Sequence, residues 1–379
     1  MQEVPRSLEI LATLCRHPAT SYFEDKVARE VERILADAAI PWEQDEFGNI
    51  IARLTRRDTS DPTPPRPIAL VAHMDHPGFE IVEVDGRRLT LQMRGRVSDV
   101  IYDQQVDLVV HCADGSSCAA RTTGQDGDMQ TRILYADLAE QNELVLPAFA
   151  VFDLVDCEFR NNRVFARALD DLAGCAATLS VLETLAAENE PVDVFGVLTR
   201  AEEDGLIGAR LLAANGSLPK ETLVISVESS RTLPGAEQEN GPVIRVGDAI
   251  STFSQSAEVI LQDARTVLQR RDPPIPVQRQ LMSGGVCEAS VFVAHGYEST
   301  GVAFPLAHYH NGFGEDSIQA ENIAISDFLG GVALLLQATR SIPTSRQQTP
   351  GGAQSLYERL RSAPEEEGDR LRSVVRRNG

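Results

Sequence analysis

The polar residues of this chain that could do chemistry stand where apolar runs stop. "IALVAHMD" runs into His73 and Asp75, "VFGVLTRAEED" into Glu202 and Glu203, "TLVISVESS" into Glu228, and "STGVAFPLAHYH" into His308 and His310. Asp170 and Asp171 precede the apolar stretch "LAGCAATLSVLETLAAE". Imidazole and carboxylate are borderline-to-hard ligands that suit zinc, cobalt or manganese. Two histidines and three carboxylates can hold two ions with one carboxylate bridging. Such ions stand roughly 3.5–4 Å apart, polarise a carbonyl and generate hydroxide near neutral pH. A carboxylate left off the metals can carry the proton to a leaving amine. Adjacent side chains such as Glu202 and Glu203 point in different directions, so one can ligate while its neighbour faces the substrate. The i, i+2 spacing of His73 and Asp75 puts both on one side of an extended strand, where Asp75 can hold the second ring nitrogen of His73.

Each of these features alone has a plainer account. His73 alone is a polar strand end, Glu202-Glu203 a solvated first turn of a helix, and Asp170-Asp171 a helix cap and its neighbour. Their repetition favours chemistry, because ligand sites of open α/β sheets lie outside the carboxyl ends of the strands.

The elements that must position these residues follow from periodicity. "RSLEILATLCRH" and "YFEDKVAREVERILADAAI" have the three- and four-residue spacing of amphipathic helices. "NIIARL" and "IALVAH" read as strands separated by the turn-rich "SDPTPPRP". From Phe79 to about Arg167 the pattern is all-β: "FEIVEVDGRRLTLQM" alternates around Asp85-Gly86, a type I′ hairpin signal, and "QQVDLVVHCADGSSCAARTTG" forms another hairpin. One segment there, "MQTRILYADLAEQ", has a helical period. Beyond it helices and strands alternate, with "AENIAISDFLGGVALLLQATRSI" as the last long helix. This pattern predicts an α/β fold, a mixed and mostly parallel sheet flanked by helices, with an inserted small all-β domain. The expected boundaries are 1–77 and 166–342 for the catalytic α/β domain, 78–165 for the inserted β domain, and 343–379 for a tail that is disordered or carries one short helix, "AQSLYERLRSA".

Composition narrows the classes. The 379 residues carry a net charge of −21, with 42% hydrophobic and 24% charged residues. That fits a well-cored globular protein and argues against nucleic-acid or anionic-membrane partners, whose phosphates it would repel. Six cysteines without a CxxC pair fit reduced thiols in a cytoplasm. No signal peptide is read in the first residues and no run of 18 apolar residues is present. The sequence contains no GxSxG, P-loop, GxGxxG or HExxH motif. His17, His111 and His295 have no partners nearby in sequence and read as structural, as do Cys157 and Cys175.

The stretches "SYFEDKVAREVERIL", "DEFGNIIA", "HMDHPGF", "ALDDLAG", "EEDGLIGA", "GPVIRVG" and "PLAHYHNG" occur in an order that resembles the dinuclear-metal aminopeptidases of the glutamyl and deblocking type, whose members often build tetrahedral assemblies. The likeness spans roughly residues 7 to 340. It implies hydrolysis of amide bonds, with release of N-terminal residues from short peptides, two divalent ions (zinc, with cobalt or manganese as alternatives) and a homo-oligomer. It also implies His73, Asp170 and Glu228 at one metal, and Glu203 and His310 with the bridging Asp170 at the other. Asp75 would orient His73, and Glu202 would be the general base. Alignment on "PLAHYH" makes His310, not His308, the last ligand. The β insert falls where this family keeps its small β domain, which would roof the site or mediate assembly. Three positions depart from the family: Glu228 stands where Asp is usual, His76-Pro77 where an acid and a small apolar residue are usual, and "GGVCEA" with Glu288 where a "GGTDA"-like motif is usual. Glu at the fourth ligand position is commoner among carboxypeptidases and deacylases of the wider clan. An N-acyl amino acid amidohydrolase or carboxypeptidase is therefore the first alternative, and a non-catalytic scaffold on the same fold the second.

Overall fold

Strand β3 (Ile68–His73) is buried along its whole length, and its alternate side chains serve two cores. Ile68, Leu70 and Ala72 pack into one hydrophobic cluster, Ala69 and Val71 into another, as the two-residue period of a strand requires. The computed structural model describes residues 4–56, 66–98, 101, 104–126, 133–141, 143–188, 191–314, 317–341 and 360–361. Helices α1 (Arg6–Cys15) and α2 (Asp25–Asp37) come first, each burying one stripe: Leu8, Leu11, Leu14 and Cys15 on α1, and Val27, Val31, Ile34 and Leu35 on α2. Strands β1 (Trp42–Gln44) and β2 (Ile50–Arg56) pair antiparallel and lead to β3.

A closed barrel follows, built from β4 (Gly78–Asp85), β5 (Arg88–Arg94), β6 (Asp107–Cys112), β7 (Ser117–Asp126), β8 (Ile133–Leu138) and β9 (Ala148–Phe152) in the order β4-β5-β8-β7-β6-β9. Its own core contains Phe79, Leu91, Leu108, Leu134 and Phe152. The hairpin β4–β5 pairs Asp85 with Arg88, so Gly86 and Arg87 form the loop. Only Gly86 of the two has a positive φ, +59°, which fits the II′ pattern rather than the I′ turn read from Asp85-Gly86. The helical period of "MQTRILYADLAEQ" is overturned as well. Ile133–Leu138 is strand β8, pairing with β5 and β7. Leu134, Ala136 and Leu138 are fully buried and alternate with more exposed neighbours, a two-residue period hidden by the apolar residues between them; residues 129–132 lie outside the described residues.

After the barrel, β10 (Glu158–Arg160) and β11 (Arg163–Ala166) form a hairpin that pairs with β19 (Glu321–Ala324). The barrel therefore closes at Phe152, and the hairpin joins the rest of the chain. Next come α3 (Leu172–Ala187), β12 (Val192–Thr199), α4 (Ile207–Asn215), β13 (Leu223–Arg231), β14 (Val243–Arg245), α5 (Gln255–Gln269), β15 (Gln278–Gln280), α6 (Glu288–Ala294) and β16 (Glu298–Leu306). The short strands β17 (Gly312–Phe313) and β18 (Ser317–Ile318), then β19 and α7 (Ile325–Ser341), complete the described elements. The run "AENIAI" is thus strand before it is helix: Glu321–Ala324 is buried throughout and pairs with β11, and the helix begins at Ile325. All but two residues of "AQSLYERLRSA", and most of the tail with it, lie outside the described residues; residues 360–361 are helical.

The main sheet has the order β1-β2-β12-β3-β13-β16-β14-β15. Its four middle strands, β12, β3, β13 and β16, are parallel, and β2 and β14 join them antiparallel. This is the mixed α/β class expected from the sequence. The parallel strands bring the ends carrying His73, Glu202-Glu203, Glu228 and His310 to one edge. Among the described residues no helix is long and apolar enough to cross a membrane.

Candidate metal centre

The strand ends converge on Asp170, which lies just before α3. Asp170 Oδ1 is 3.5 Å from His73 Nε2, and Asp170 Oδ2 is 3.6 Å from His310 Nε2. Glu228 Oε1 stands 3.4 Å from His73 Nε2, and Glu203 Oε1 3.4 Å from His310 Nε2. Glu202 Oε2 lies 3.9 Å from His73 Nε2. All five expected ligand residues and Glu202 therefore come together, with one carboxylate oxygen of Asp170 turned to each imidazole. Asp171 joins them too, with one oxygen within 4.8 Å of ligand atoms of His73 and Glu228. His308 does not: its Nδ1 is 2.8 Å from the Ala320 carbonyl and its ring packs on Phe313. His308, His310 and Asn311 all have positive φ, an uncommon backbone for such residues that is found disproportionately at functional sites.

The cluster fits a cation. Asp170 Oδ1 and Asp171 Oδ2 are buried without a hydrogen-bond partner, and such orphaned oxygens are costly unless a charge answers them. The imidazole–carboxylate separations of 3.4–3.6 Å exceed the roughly 2.7–2.9 Å of a charge-assisted hydrogen bond. Burial alone lowers the pKa of His73, yet Glu202, Asp170, Asp75 and Glu228 together raise it well above its ordinary value. His310 is treated alike: burial lowers it, and Glu203 and Asp170 more than reverse that. Glu202 is pushed well up by burial and by Glu203 and Glu228, against the pull of His73. Burial and Asp170 take Glu228 up to about 7, against His73 and Arg245. Positive charge is thus strongly favoured between these groups, and the imidazole and carboxylate donors suit divalent ions.

Asp75 acts differently from the sequence expectation. Its backbone carbonyl, 3.1 Å from His73 Nδ1, is the nearer acceptor, and its carboxylate oxygen is 3.5 Å away. That carboxylate is used elsewhere: Oδ1 accepts from the Glu202 N–H at 2.9 Å, and Oδ2 accepts from the Glu203 N–H at 3.1 Å and the Ser21 hydroxyl at 2.7 Å. One residue thus orients His73 and fixes the loop bearing the two glutamates.

Other supports went unread in the sequence. Buried Glu321 accepts from the N–H groups of Leu169, Asp170 and His310 at 2.7, 3.1 and 2.9 Å. It ties two candidate ligands together, and burial beside Asp170 takes its pKa up to about 8. Glu24 accepts from the Ala201 N–H and from Arg200. Buried Arg245 stands 3.5 Å from Glu228 Oε2 and donates to the Ser230 hydroxyl, so Glu228 turns one oxygen to His73 and the other to a guanidinium. Its only sequence signal was a cation inside the apolar "GPVIRVG". His76 proves to be a buried support, with Nδ1 3.0 Å from the Asp170 carbonyl and Nε2 3.0 Å from Asn311 Oδ1. Glu288 accepts from the Thr199 hydroxyl and is taken up to about 7 by burial. The centre opens into a cavity of about 250 Å³ whose lining also includes Leu206, Leu233, Met282, Val286 and Tyr309.

The family model for M42 glutamyl aminopeptidases matches residues 48–320. The chain belongs to this family. This M42 peptidase is thus a hydrolase, a metal-dependent aminopeptidase, and the amidohydrolase and carboxypeptidase alternatives are not favoured. A curated protein of Acetivibrio thermocellus, named as a candidate aminopeptidase, is 24% identical over 307 residues, covering 78% of this chain and 86% of its own. An aminopeptidase of Desulfurococcus kamchatkensis has a TM-score of 0.72 at 22% identity, covering 91% of this chain and 96% of its own. A TET peptidase of Pyrococcus horikoshii, described as assembling into a tetrahedron or a large octahedral shell, has a TM-score of 0.71 at 23% identity, covering 88% of this chain and 99% of its own. These solved structures share the fold of this M42 peptidase.

Proposed function

We propose that this peptidase releases N-terminal residues from short peptides with two divalent ions, zinc in the first instance. His73, Asp170 and Glu228 would hold one ion, and Asp170, Glu203 and His310 the other. The observation that carries this reading is Asp170, buried between two imidazoles with one oxygen facing each. When bound, such an ion pair polarises the scissile carbonyl and lowers the pKa of a water. The chain's own part is then limited and specific. Glu202 lines the cavity, and burial with the neighbouring Glu203 and Glu228 raises its pKa, so its carboxylate is the group placed to take up a proton and pass it to the leaving amine. Asp75, through its carbonyl, keeps the Nδ1 proton of His73 in place and leaves Nε2 free to ligate. The excess of carboxylates favours a substrate end that is a free ammonium group, and Leu206, Leu233, Met282 and Val286 give the first side chain an apolar wall. A panel of aminoacyl-anilides and N-acyl amino acids tests this reading. Hydrolysis of the anilides alone is expected, and preferential cleavage of the N-acyl amino acids would overturn it.

We also propose that the barrel, residues 78–152, is a module inserted into the catalytic domain formed by the rest of the described chain. A homo-oligomer is supported by the tetrahedral and octahedral assemblies described for the Pyrococcus horikoshii relative. A cytoplasmic location is supported by six free cysteines.

A further inference from the structure

Strand β5 of the barrel ends at Arg94, and the next two residues turn into the metal centre. Gly95 has φ +76°, and a Cβ there would lie 3.1 Å from both Glu203 Cβ and the Pro77 ring. The carbonyl of Arg96 accepts from His310 Nδ1, which fixes the tautomer and directs Nε2 to Asp170 and Glu203. Arg94 Nε donates to Glu80 on β4 at 2.9 Å, and Nη1 reaches Asp204 Oδ2 at 3.3 Å. The same Asp204 oxygen accepts from the Tyr22 hydroxyl at 2.9 Å, and the guanidinium lies over the Tyr22 ring, 5.2 Å from its centre. Asp204 directly follows Glu203 in the chain.

The other half of the centre is held otherwise. The Asp75 carbonyl faces His73 Nδ1, the Cys175 thiol donates to the His73 carbonyl, and Arg245 stands against Glu228. Among the described residues these supports all come from outside the barrel. Asp75 and Glu321 also hold the Glu203 and His310 N–H groups, so the halves differ in the barrel contacts that the Glu203–His310 half has in addition.

We propose that the barrel segment 94–96, with Tyr22 and Asp204, positions the Glu203–His310 half of the metal pair, so that affinity for the ion in that half depends on the barrel while the His73–Glu228 half does not. Three contacts act together. Gly95 lets the barrel backbone pass against Glu203, the Arg96 carbonyl aims the imidazole, and the Arg94–Asp204–Tyr22 clamp restrains the loop beyond Glu203. Tyr22 is exposed, but the Arg94–Asp204 pair within the clamp is partly buried, with side-chain exposures of 26% and 18%, so solvent screens it less than an open surface pair. Partners that orient a ligand in this way typically change metal affinity by about 10- to 100-fold when lost.

This inference rests on the two-ion reading, and one experiment separates the two. The full chain, stripped with chelator, is titrated with Co²⁺ in a calorimeter. Two binding steps are expected for the wild type, with Glu203→Gln removing one and Glu228→Gln the other. Arg94→Ala and Asp204→Asn should each weaken the Glu203 step by roughly tenfold or more and leave the Glu228 step unchanged. Tyr22→Phe deletes a single hydroxyl and should weaken the same step to a smaller extent, which guards against a variant that merely misfolds. A shift in the Glu228 step, an equal shift in both, or no shift in any of the three would overturn the positioning role. Fewer than two ions bound by the wild type would overturn the two-ion reading itself, and the inference with it.

Discussion

Glu202→Gln should keep its full metal content while kcat falls by roughly 100- to 10,000-fold, the usual contribution of a positioned acid–base group. The amide has almost the shape of the carboxylate, so the cavity wall is preserved. It cannot take up a proton, and so cannot pass one to the leaving amine. The Glu202 and Glu203 N–H groups are held by Asp75 through their backbones, so the substitution leaves the loop in place. The rival role for Glu202 is also concrete, because its carboxylate comes within 4.8 Å of ligand atoms of His73 and Glu203. Elemental analysis alongside a rate measurement separates the two. Lost turnover with metal retained makes Glu202 the proton carrier, lost metal makes it a ligand, and unchanged turnover would remove it from the mechanism.

Asp170→Asn should have the broader effect. Asp170 is the only carboxylate among the described ion-pair contacts that reaches both His73 and His310, and it is buried with one oxygen unpartnered. The amide keeps the volume but removes the charge shared by both halves. Removing one partner of a buried charge pair typically costs about 3–5 kcal/mol, which is roughly 150- to 4,000-fold in affinity. Both ions should therefore weaken together, and activity at micromolar metal should be lost. Loss of one ion alone, with the other bound as in the wild type, would show that Asp170 serves a single half.

Much of the centre was legible in the sequence for one physical reason. A parallel sheet presents its strand ends on one edge, so polar residues that terminate apolar runs are brought together whatever their separation in the chain. His73, Glu203, Glu228 and His310 all follow that rule. Glu321 and Arg245 do not: Glu321 opens β19 and Arg245 ends β14, strands outside the parallel set, and they reach Asp170 and Ser230, 151 and 15 residues away. Nothing local marks such residues. The use made of Asp75 was half legible: its spacing from His73 put it on the correct side of the strand, but its hydrogen bonds to Glu202 and Glu203 span more than 120 residues. Two segments misled by period. Ile133–Leu138 and Glu321–Ala324 are strands in which apolar residues occupy both faces or sit next to a true helix, and short apolar runs of this kind carry no decisive period.

The most direct test of the whole account is to follow aminoacyl-anilide hydrolysis while zinc is returned to the chelator-stripped chain. Activity should be absent without metal, recover as ions are added and reach its plateau at two equivalents per chain. Full activity without bound metal, or a plateau at one equivalent, would contradict it.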